Sequence, residues 1–386
     1  MKIKYCLLQG LYWMLFCVNG GYVTVYLTGI DVSAGMIGMI TAVFCGLSAL
    51  LQPTLGRLAD QQGRMGWQLQ LKFLFLLIIV CDALLLVQRN GLLSGLLLGI
   101  ALLALNCAMP FVNGASFYYE NRGIPMNFGV ARGCGSLFYA IVSTILGRMV
   151  ELTGIRAIAV SGIIIGIAVL LLMQMFPTIA IEEEKKEGRE NLVNMSQLSF
   201  IKQNKLFVMM LLGFMCLLMF HNTTNTYLLQ MVQKAGGGSS HMGFALSIAA
   251  ILEIPVMFGT AFLVRKYHVR PLLILSGIAF SLKGILYCLI PTVAGIYAAQ
   301  LLQPFSYAVF ASVSIYYAQE VMSEENKLRG QTYVSSAITL GAVFGNLIGG
   351  AVLQAAGVRV MLFVALGFAL LGALDIIIVA RKKVTS

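Results

Sequence analysis

The sequence is interrupted near its middle by nine mostly charged residues, Glu182-Glu183-Glu184-Lys185-Lys186-Glu187-Gly188-Arg189-Glu190. On both sides of this run, long apolar segments follow one another with short polar connections. The run therefore predicts two parts of similar size, residues 1–178 and 206–386, joined by a linker over 179–205. We interpret the linker as a solvated loop, because its composition is too polar and its length too short for a domain.

The composition indicates that most of this chain is surrounded by membrane lipid and not by water. Of 386 residues, 59% are hydrophobic and only 11% are charged, whereas soluble domains carry roughly 25% charged residues. A helix that spans the hydrocarbon core of a bilayer needs about 20 apolar residues. Twelve segments satisfy this requirement, six on each side of the linker: 5–28, 34–58, 69–88, 92–118, 127–150, 156–178, 206–230, 241–264, 271–290, 292–319, 330–355 and 358–380.

These segments predict an all-α membrane protein with twelve transmembrane helices in two pseudo-symmetric six-helix bundles. Repeated halves of this kind are typical of secondary transporters. The first segment lacks a small-residue cleavage site, and we interpret it as a retained helix and not as a signal peptide.

Positive charge is distributed unevenly along the chain. The formal net charge is +11, but most Lys and Arg residues fall in the loops and ends that lie on one side of the predicted spans. This asymmetry follows the positive-inside rule and predicts that both termini are cytoplasmic, in the inner or plasma membrane of the cell. The basic character therefore indicates membrane orientation and not a nucleic-acid partner.

Motifs for catalysis and metal binding are missing from the sequence. There is no G-x-x-x-x-G-K-[ST] phosphate loop and no H-E-x-x-H pair. The eight cysteines all fall in predicted spans without metal-ligand spacing, which favours packing roles. We therefore expect no enzymatic activity, no cofactor and no metal.

A more specific motif lies between the second and third predicted spans, Gly56-Arg57-Leu58-Ala59-Asp60-Gln61-Gln62-Gly63-Arg64. It resembles the G-x-L-A-D-x-x-G-R signature of the major facilitator superfamily. The resemblance implies that this loop latches the two halves in one access state. It assigns a role as conformational gate to four residues: Gly56, Asp60, Gly63 and Arg64.

A narrower resemblance involves Glu120-Asn121-Arg122 and the run Phe128-Gly129-Val130-Ala131-Arg132-Gly133-Cys134-Gly135. Both stretches resemble the lactose permease and oligosaccharide–proton symporter group. The resemblance implies that Glu120 and Arg132 bind substrate together and that Tyr139 stacks on it. The run Glu253-Ile254-Pro255-Val256-Met257-Phe258 also resembles a related branch of aromatic-acid or nucleoside transporters.

The tenth predicted span departs from the lactose permease pattern. In that group a His and a Glu on this helix carry the coupled proton, whereas Gln303 and Ser306 occupy the matching positions here. The resemblance therefore transfers neither the proton site nor galactoside specificity. Gln303 becomes a candidate for substrate binding.

Charged residues inside predicted spans are costly and usually functional. Glu253 and Lys283 each lie about 12 residues, or about 18 Å, from the inner ends of neighbouring spans. We predict that they pair, with Glu253 binding the coupling proton and Lys283 tuning its affinity; a permanent structural ion pair is the alternative. Asp82 lies at an equivalent depth on the third span. Three roles are open to it: a second proton site, a partner for Lys283 or a carboxylate solvated by the cavity.

Polar side chains also recur within the spans. Asn106, Asn113 and Glu120 are spaced seven residues apart, so they share one face of the fourth span. That face lines either the cavity or a hydrogen-bonded contact between helices. Asn222 and Asn225 belong to a polar run in the seventh span, which either contacts substrate or reaches the membrane interface.

Together these patterns predict a monomeric transporter whose partners are the bilayer, a small-molecule substrate and a coupling proton. Import of a sugar or nucleoside by alternating access is the first hypothesis. Uptake of an aromatic or organic acid, with Arg132 and Lys283 binding its carboxylate, and efflux by the same fold are the alternatives. A receptor or scaffold is disfavoured, because the ends outside the spans are short.

Overall fold

The computed structural model describes residues 1–61, 66–88, 90–120, 122–177, 204–323 and 326–382, and these residues form helices and short connections without any strand. The described residues form two π-helical segments, Cys17–Gly21 and Pro304–Ala308, and these α-helices: α1 (Lys2–Phe16), α2 (Val23–Thr28), α3 (Ala34–Gln61), α4 (Gly66–Val87), α5 (Gly91–Glu120), α6 (Phe128–Thr153), α7 (Arg156–Gln174), α8 (Lys205–Thr226), α9 (Leu228–Lys234), α10 (Ser239–Tyr267), α11 (Val269–Leu289), α12 (Val293–Gln300), α13 (Val309–Val321) and α14 (Lys327–Arg381).

Ten helical stretches in the described part of the chain are long and apolar enough to cross a membrane. The first joins α1, the π-helical segment Cys17–Gly21 and α2. The last lies within α14, whose 55 residues correspond to about 80 Å of helix, far more than a bilayer core of about 30 Å. Gly357 interrupts α14 with φ 80° and ψ 177°, a conformation that glycine adopts without the strain of a Cβ. The prediction of an all-helical, multi-pass membrane protein is confirmed.

The distribution of side chains fits hydrocarbon as the surrounding solvent. Large apolar residues such as Leu50, Phe73 and Phe262 are exposed on the outside of the helices, whereas Glu253 and Lys283 are buried. A protein in water shows the reverse preference. A helix satisfies most of its backbone hydrogen-bonding groups within its own segment, which is why helices span membranes.

Each part of the chain has its own set of helix contacts. In the N-terminal part, α1–α7, helix α1 packs on α6 and α7, α4 packs on α5 and α7, and α3 packs on α5. In the C-terminal part, α8–α14, helix α14 packs on α8 and α11, and α11 packs on α13. The two parts meet mainly where α6 packs on α10 and where α3 packs on α14. Most of the predicted linker, residues 179–203, lies outside the described residues.

The two parts are in close contact at one end of the molecule, which we call the closed end (residues 22–35, 143–151, 226–243 and 346–354). There the Thr24 hydroxyl donates to the Thr226 carbonyl oxygen at 2.6 Å, and the Gln230 amide donates to the Thr28 hydroxyl at 3.0 Å. At the opposite end of the helices, which we call the open end, a Cβ built on Gly56 of α3 would have no neighbour within 4 Å.

Candidate functional site

A cavity lies between the two parts and receives side chains from both. Its volume is about 130 Å³, below the range of about 300–1,000 Å³ that is typical of small-molecule sites. Helices α1 and α6 line one side, and α8, α10 and the Pro304–Ala308 segment line the other. The lining residues are Trp13, Phe16, Arg132, Ser136, Tyr139, His221, Asn225, Leu246, Ala249, Ala250, Glu253, Gln303 and Tyr307.

Arg132 presents its guanidinium on the N-terminal side of the cavity. One N–H donates to the Ser136 hydroxyl at 3.0 Å, one turn further along α6. The guanidinium carbon lies 3.9 Å from the centre of the Trp13 ring, a cation–π contact that fixes the plane of the group. An arginine has five N–H donors, and no other hydrogen bond of Arg132 is present among the described residues. Arg132 therefore has donors to offer a ligand.

Glu253 faces the cavity from α10 and belongs to a hydrogen-bonded chain. The Gln303 amide N–H donates to Glu253 Oε1 at 2.7 Å. The Lys283 ammonium donates to Gln303 Oε1 and, at 2.9 Å, to Gln300 Oε1. Lys283 is 3% exposed and Glu253 is 9% exposed, so both charges are removed from water.

The predicted pair of Glu253 and Lys283 is therefore bridged and not direct. Within the described residues, no contact of 4 Å or less joins their charged atoms. The bridge is possible because a glutamine amide carries a donor and an acceptor on one planar group. A turn at Leu301–Gln303, between α12 and the π-helical segment, places Gln300 and Gln303 beside Lys283.

Aromatic side chains form the rest of the wall. The His221 ring stacks on Tyr307 with centres 4.1 Å apart and an interplanar angle of 7°. Tyr139 projects from α6 towards Gly21, where a Cβ would lie 3.0 Å from the tyrosine oxygen. These rings offer flat apolar surfaces beside the polar groups of Arg132 and Glu253.

Asp82 lies outside the cavity lining. Its side chain is fully buried, and its Oδ2 accepts a hydrogen bond from the Asn19 amide at 3.2 Å. The other carboxylate oxygen has no hydrogen-bond partner among the described residues. Asn19 belongs to the π-helical segment Cys17–Gly21, so Asp82 lies behind that segment, against Gly162 of α7. The structure thus places Asp82 apart from Lys283, whose hydrogen-bond partners are Gln300 and Gln303.

The polar face of α5 contacts other helices and not the cavity. Asn113 accepts a hydrogen bond from the Gln9 amide at 3.1 Å. Asn106 donates to the Leu102 carbonyl oxygen at 2.9 Å, and its own carbonyl oxygen accepts from Gln52. Glu120 is exposed where α5 ends and is not among the residues that line the cavity with Arg132.

Of the predicted substrate residues, the structure brings Arg132, Tyr139, Asn225 and Gln303 together with Glu253. Asn222 instead donates to the Leu218 carbonyl oxygen of its own helix at 2.8 Å. Trp13, Ser136 and Tyr307 line the cavity although the sequence analysis did not select them. Trp13 carried one available signal, because it is one of only two tryptophans in the chain.

The predicted gate lies at the open end, where the structure describes only some residues of the motif. Gly56 is half-buried in α3. Gly63 and Arg64 lie outside the described residues, as does the Asp60 side chain. The latch that the motif implies therefore stays a prediction.

A polar cavity between apolar, membrane-spanning helices defines a multi-pass membrane transporter, and the sequence comparison gives its family. The chain belongs to the MFS_1 like family, whose model matches residues 5–365. No curated protein matches the sequence.

Solved transporter structures share the fold. Two crystal structures of the nucleoside transporter NupG, one of them a single-residue variant, superpose with TM-scores of 0.82 and 0.85. Both are 15% identical to this chain and cover 99% of it, with 99% and 100% of NupG matched. A bacterial homologue of the human lysosomal transporter Spinster, inward-facing and unoccupied, is 13% identical with a TM-score of 0.70, over 98% of this chain and 96% of its own. At these identities the likeness shows the fold alone.

Proposed function

We propose that this protein is a secondary active transporter that imports a small polar organic solute, a nucleoside or sugar, together with a proton. The observation that carries the proposal is a polar cavity lined by both parts and closed at one end. In this proposal twelve spans form two six-helix halves, residues 1–178 and 206–386, that rock around the cavity. The chain acts as a monomer with both termini in the cytoplasm, and the closed end faces outwards.

The chemistry of the cavity supports a neutral polar ligand with a flat ring. Arg132 offers N–H donors and Glu253 offers a carboxylate acceptor, while His221, Tyr307 and Tyr139 offer ring faces. A nucleobase has donors and acceptors along one edge and a π-face for stacking, and a sugar has hydroxyls of both kinds. NupG, which shares the fold, is a nucleoside transporter.

An aromatic carboxylate is the second candidate ligand, because Arg132 is a cation with donors to spare. Lys283 contributes less to this alternative than the sequence predicts, since Gln300 and Gln303 accept its hydrogen bonds. Efflux of apolar compounds fits the cavity less well, because Arg132, Glu253 and Gln303 all face it.

Glu253 is the group that we propose to carry the coupling proton. It is the carboxylate in the cavity lining of the described structure, and Gln303 connects it to the buried ammonium of Lys283. Protonation of Glu253 removes its electrostatic attraction to Lys283 across the Gln303 bridge. The energies of the two access states would then change with the protonation of Glu253.

The proposal is tested by uptake into proteoliposomes. Purified protein is reconstituted, and accumulation of labelled nucleosides, sugars and aromatic acids is measured with and without an imposed pH gradient. We expect saturable uptake of a nucleoside or sugar that increases when the outside is acidic. Uptake that is indifferent to the gradient would remove the proton from the proposal, and uptake of aromatic acids alone would select the alternative ligand.

We expect Arg132→Lys to weaken substrate binding by about 10-fold or more, because an ammonium cannot replace a planar guanidinium that is stacked and shares several donors. Glu120→Gln should change the affinity less than threefold, since Glu120 lies where α5 ends and outside the cavity lining. Equilibrium binding to the two purified variants compares them directly. Equal losses would instead restore the Glu120–Arg132 substrate pair that the family resemblance implies.

Asp82→Asn tests the second candidate for proton coupling. We expect gradient-driven uptake to stay within about twofold of the wild type, because Asp82 lies behind the cavity and an asparagine still accepts a hydrogen bond from Asn19. Accumulation and substrate exchange are measured in parallel. Loss of accumulation with exchange intact would make Asp82 a coupling group.

A further inference from the structure

Two glycines with matching backbone geometry end long helices at the closed end. Gly154 follows α6 with φ 84° and ψ 178°, and Gly357 interrupts α14 with φ 80° and ψ 177°. Three residues before each glycine stands a side chain with a carboxylate or amide oxygen, Glu151 in α6 and Gln354 in α14. The same geometry at corresponding places in the two parts indicates a structural repeat.

Each of these oxygens accepts a hydrogen bond from a helix of the other part. Glu151 Oε1 accepts from the backbone N–H of Ser240 at 2.9 Å, and Gln354 Oε1 accepts from the backbone N–H of Gly35 at 3.0 Å. Ser240 is the second residue of α10 and Gly35 is the second residue of α3. The first N–H groups of a helix have no partner within it. In both contacts a side chain of one part therefore caps the N-terminus of a helix in the other part.

The surroundings of the two caps repeat as well. The Tyr22 hydroxyl donates to the Ser143 carbonyl oxygen at 2.6 Å, and the Tyr227 hydroxyl donates to the Asn346 carbonyl oxygen at 2.9 Å. Ser143 and Asn346 stand eleven residues before Gly154 and Gly357 respectively.

Glycines let the backbones of the two parts approach at both places. A Cβ on Gly243 of α10 would meet the Ser143 carbonyl oxygen, and a Cβ on Gly38 of α3 would meet the Asn346 carbonyl oxygen. The facing helices are therefore held at a separation that a side chain would increase. At that separation Glu151 and Gln354 reach the helix ends.

We propose that the cap of Glu151 at the start of α10 and the cap of Gln354 at the start of α3 form a symmetry-related pair that holds this end of the cavity shut and that breaks when it opens. The inference rests on the alternating access of the proposed function, because only a change of access state separates the capped helices from their caps. Opening leaves two backbone N–H groups to be satisfied in another way.

The two caps differ in charge. Glu151 adds a negative charge at the positive end of the α10 dipole, which strengthens the contact, whereas Gln354 is neutral. Arg148 also lies 3.6 Å from Glu151 Oε2, with 66% of its side chain exposed. An exposed ion pair of this kind contributes little, so we assign the effect of Glu151 to the cap and not to Arg148.

Hydrogen–deuterium exchange of the full-length protein in lipid nanodiscs tests the caps. We expect Glu151→Ala to raise exchange about 5- to 30-fold in peptides at the start of α10, and Gln354→Ala to do so at the start of α3, as for the loss of an N-cap. Glu151→Gln keeps an acceptor oxygen and should stay within about threefold of the wild type. Arg148→Ala controls for the ion pair, and peptides from α4 control for general unfolding.

Unchanged exchange in both alanine variants would overturn the proposal. An equal increase in the α4 peptides would also overturn it, because the side chains would then stabilise the whole fold and not one end. These readouts need no substrate. If the alanine variants raise exchange but the protein transports no substrate, the proposed function fails and this inference stands. If the protein transports substrate but the alanine variants leave exchange unchanged, this inference fails and the proposed function stands.

Discussion

The Glu253→Gln variant is expected to lose gradient-driven accumulation and to keep the exchange of substrate across the membrane. A gradient of one pH unit supplies about 1.4 kcal/mol per proton, enough for about tenfold accumulation. A glutamine cannot bind or release that proton, so the variant should equilibrate substrate at a ratio near one. The Gln303 amide that donates to Glu253 Oε1 can still donate to an amide oxygen, and the wall of the cavity is preserved.

The measurement compares net accumulation with counterflow in the same proteoliposomes. Glu320→Gln is a matched control, because it removes one carboxylate charge from the same part of the protein at an exposed site beside Arg270. That variant should accumulate substrate like the wild type. Full accumulation by Glu253→Gln would reduce Glu253 to a structural role and reopen the choice of coupling group.

The Lys283→Met variant is expected to be the least stable of those considered. Removing the ammonium leaves the oxygens of Gln300 and Gln303 without their donor in a buried site and leaves Glu253 without its connection to a positive charge. Leaving a buried acceptor without its donor costs about 1–3 kcal/mol for each group. We expect a large fall in the unfolding midpoint of the purified protein, with loss of transport.

A double variant separates this cost from simple loss of packing. Adding Glu253→Gln to Lys283→Met removes the uncompensated charge and should recover part of the lost stability, which a double-mutant cycle reports as a coupling energy. Lys72→Met is the control, since Lys72 reaches Gln174 at 3.2 Å on an exposed surface. If the double variant is as unstable as Lys283→Met, the charges of Glu253 and Lys283 are not coupled.

Much of the fold follows from apolar length alone, because a bilayer core imposes a minimum on every span. The predicted start of the seventh span, residue 206, differs by one residue from the start of α8 at Lys205. Charge inside a span also predicts a cavity residue, since Glu253 faces the cavity; Arg132, which faces it too, is implied by the family resemblance. The cost of an unpaired charge in hydrocarbon limits where such residues can lie.

Other parts of the site could not be derived in this way. Periodicity placed Asn106 and Asn113 on one face of α5, but it does not identify the neighbour of that face, which is formed by α1 and α3 through Gln9 and Gln52. Apart from the rarity of tryptophan in this chain, nothing in the sequence distinguishes Trp13 from an apolar packing residue. The bridging position of Gln303 depends on the break at Leu301–Gln303, and no pattern of hydrophobic residues encodes that break.

That break has a mechanical consequence. Around it the backbone hydrogen bonds span different numbers of residues. The Gln303 N–H donates to the carbonyl oxygen of Gln300, three residues earlier, at 3.0 Å, and the Ala308 N–H donates to that of Gln303, five residues earlier, at 3.2 Å. In hydrocarbon no water replaces a broken backbone bond, so regular helices are stiff there. A stretch that already mixes short and long bonds can exchange one for the other. We infer that the wall beside Glu253 is a compliant point in the frame, as the second π-helical segment, Cys17–Gly21, can also be, and that a change of charge there can be converted into a change of shape.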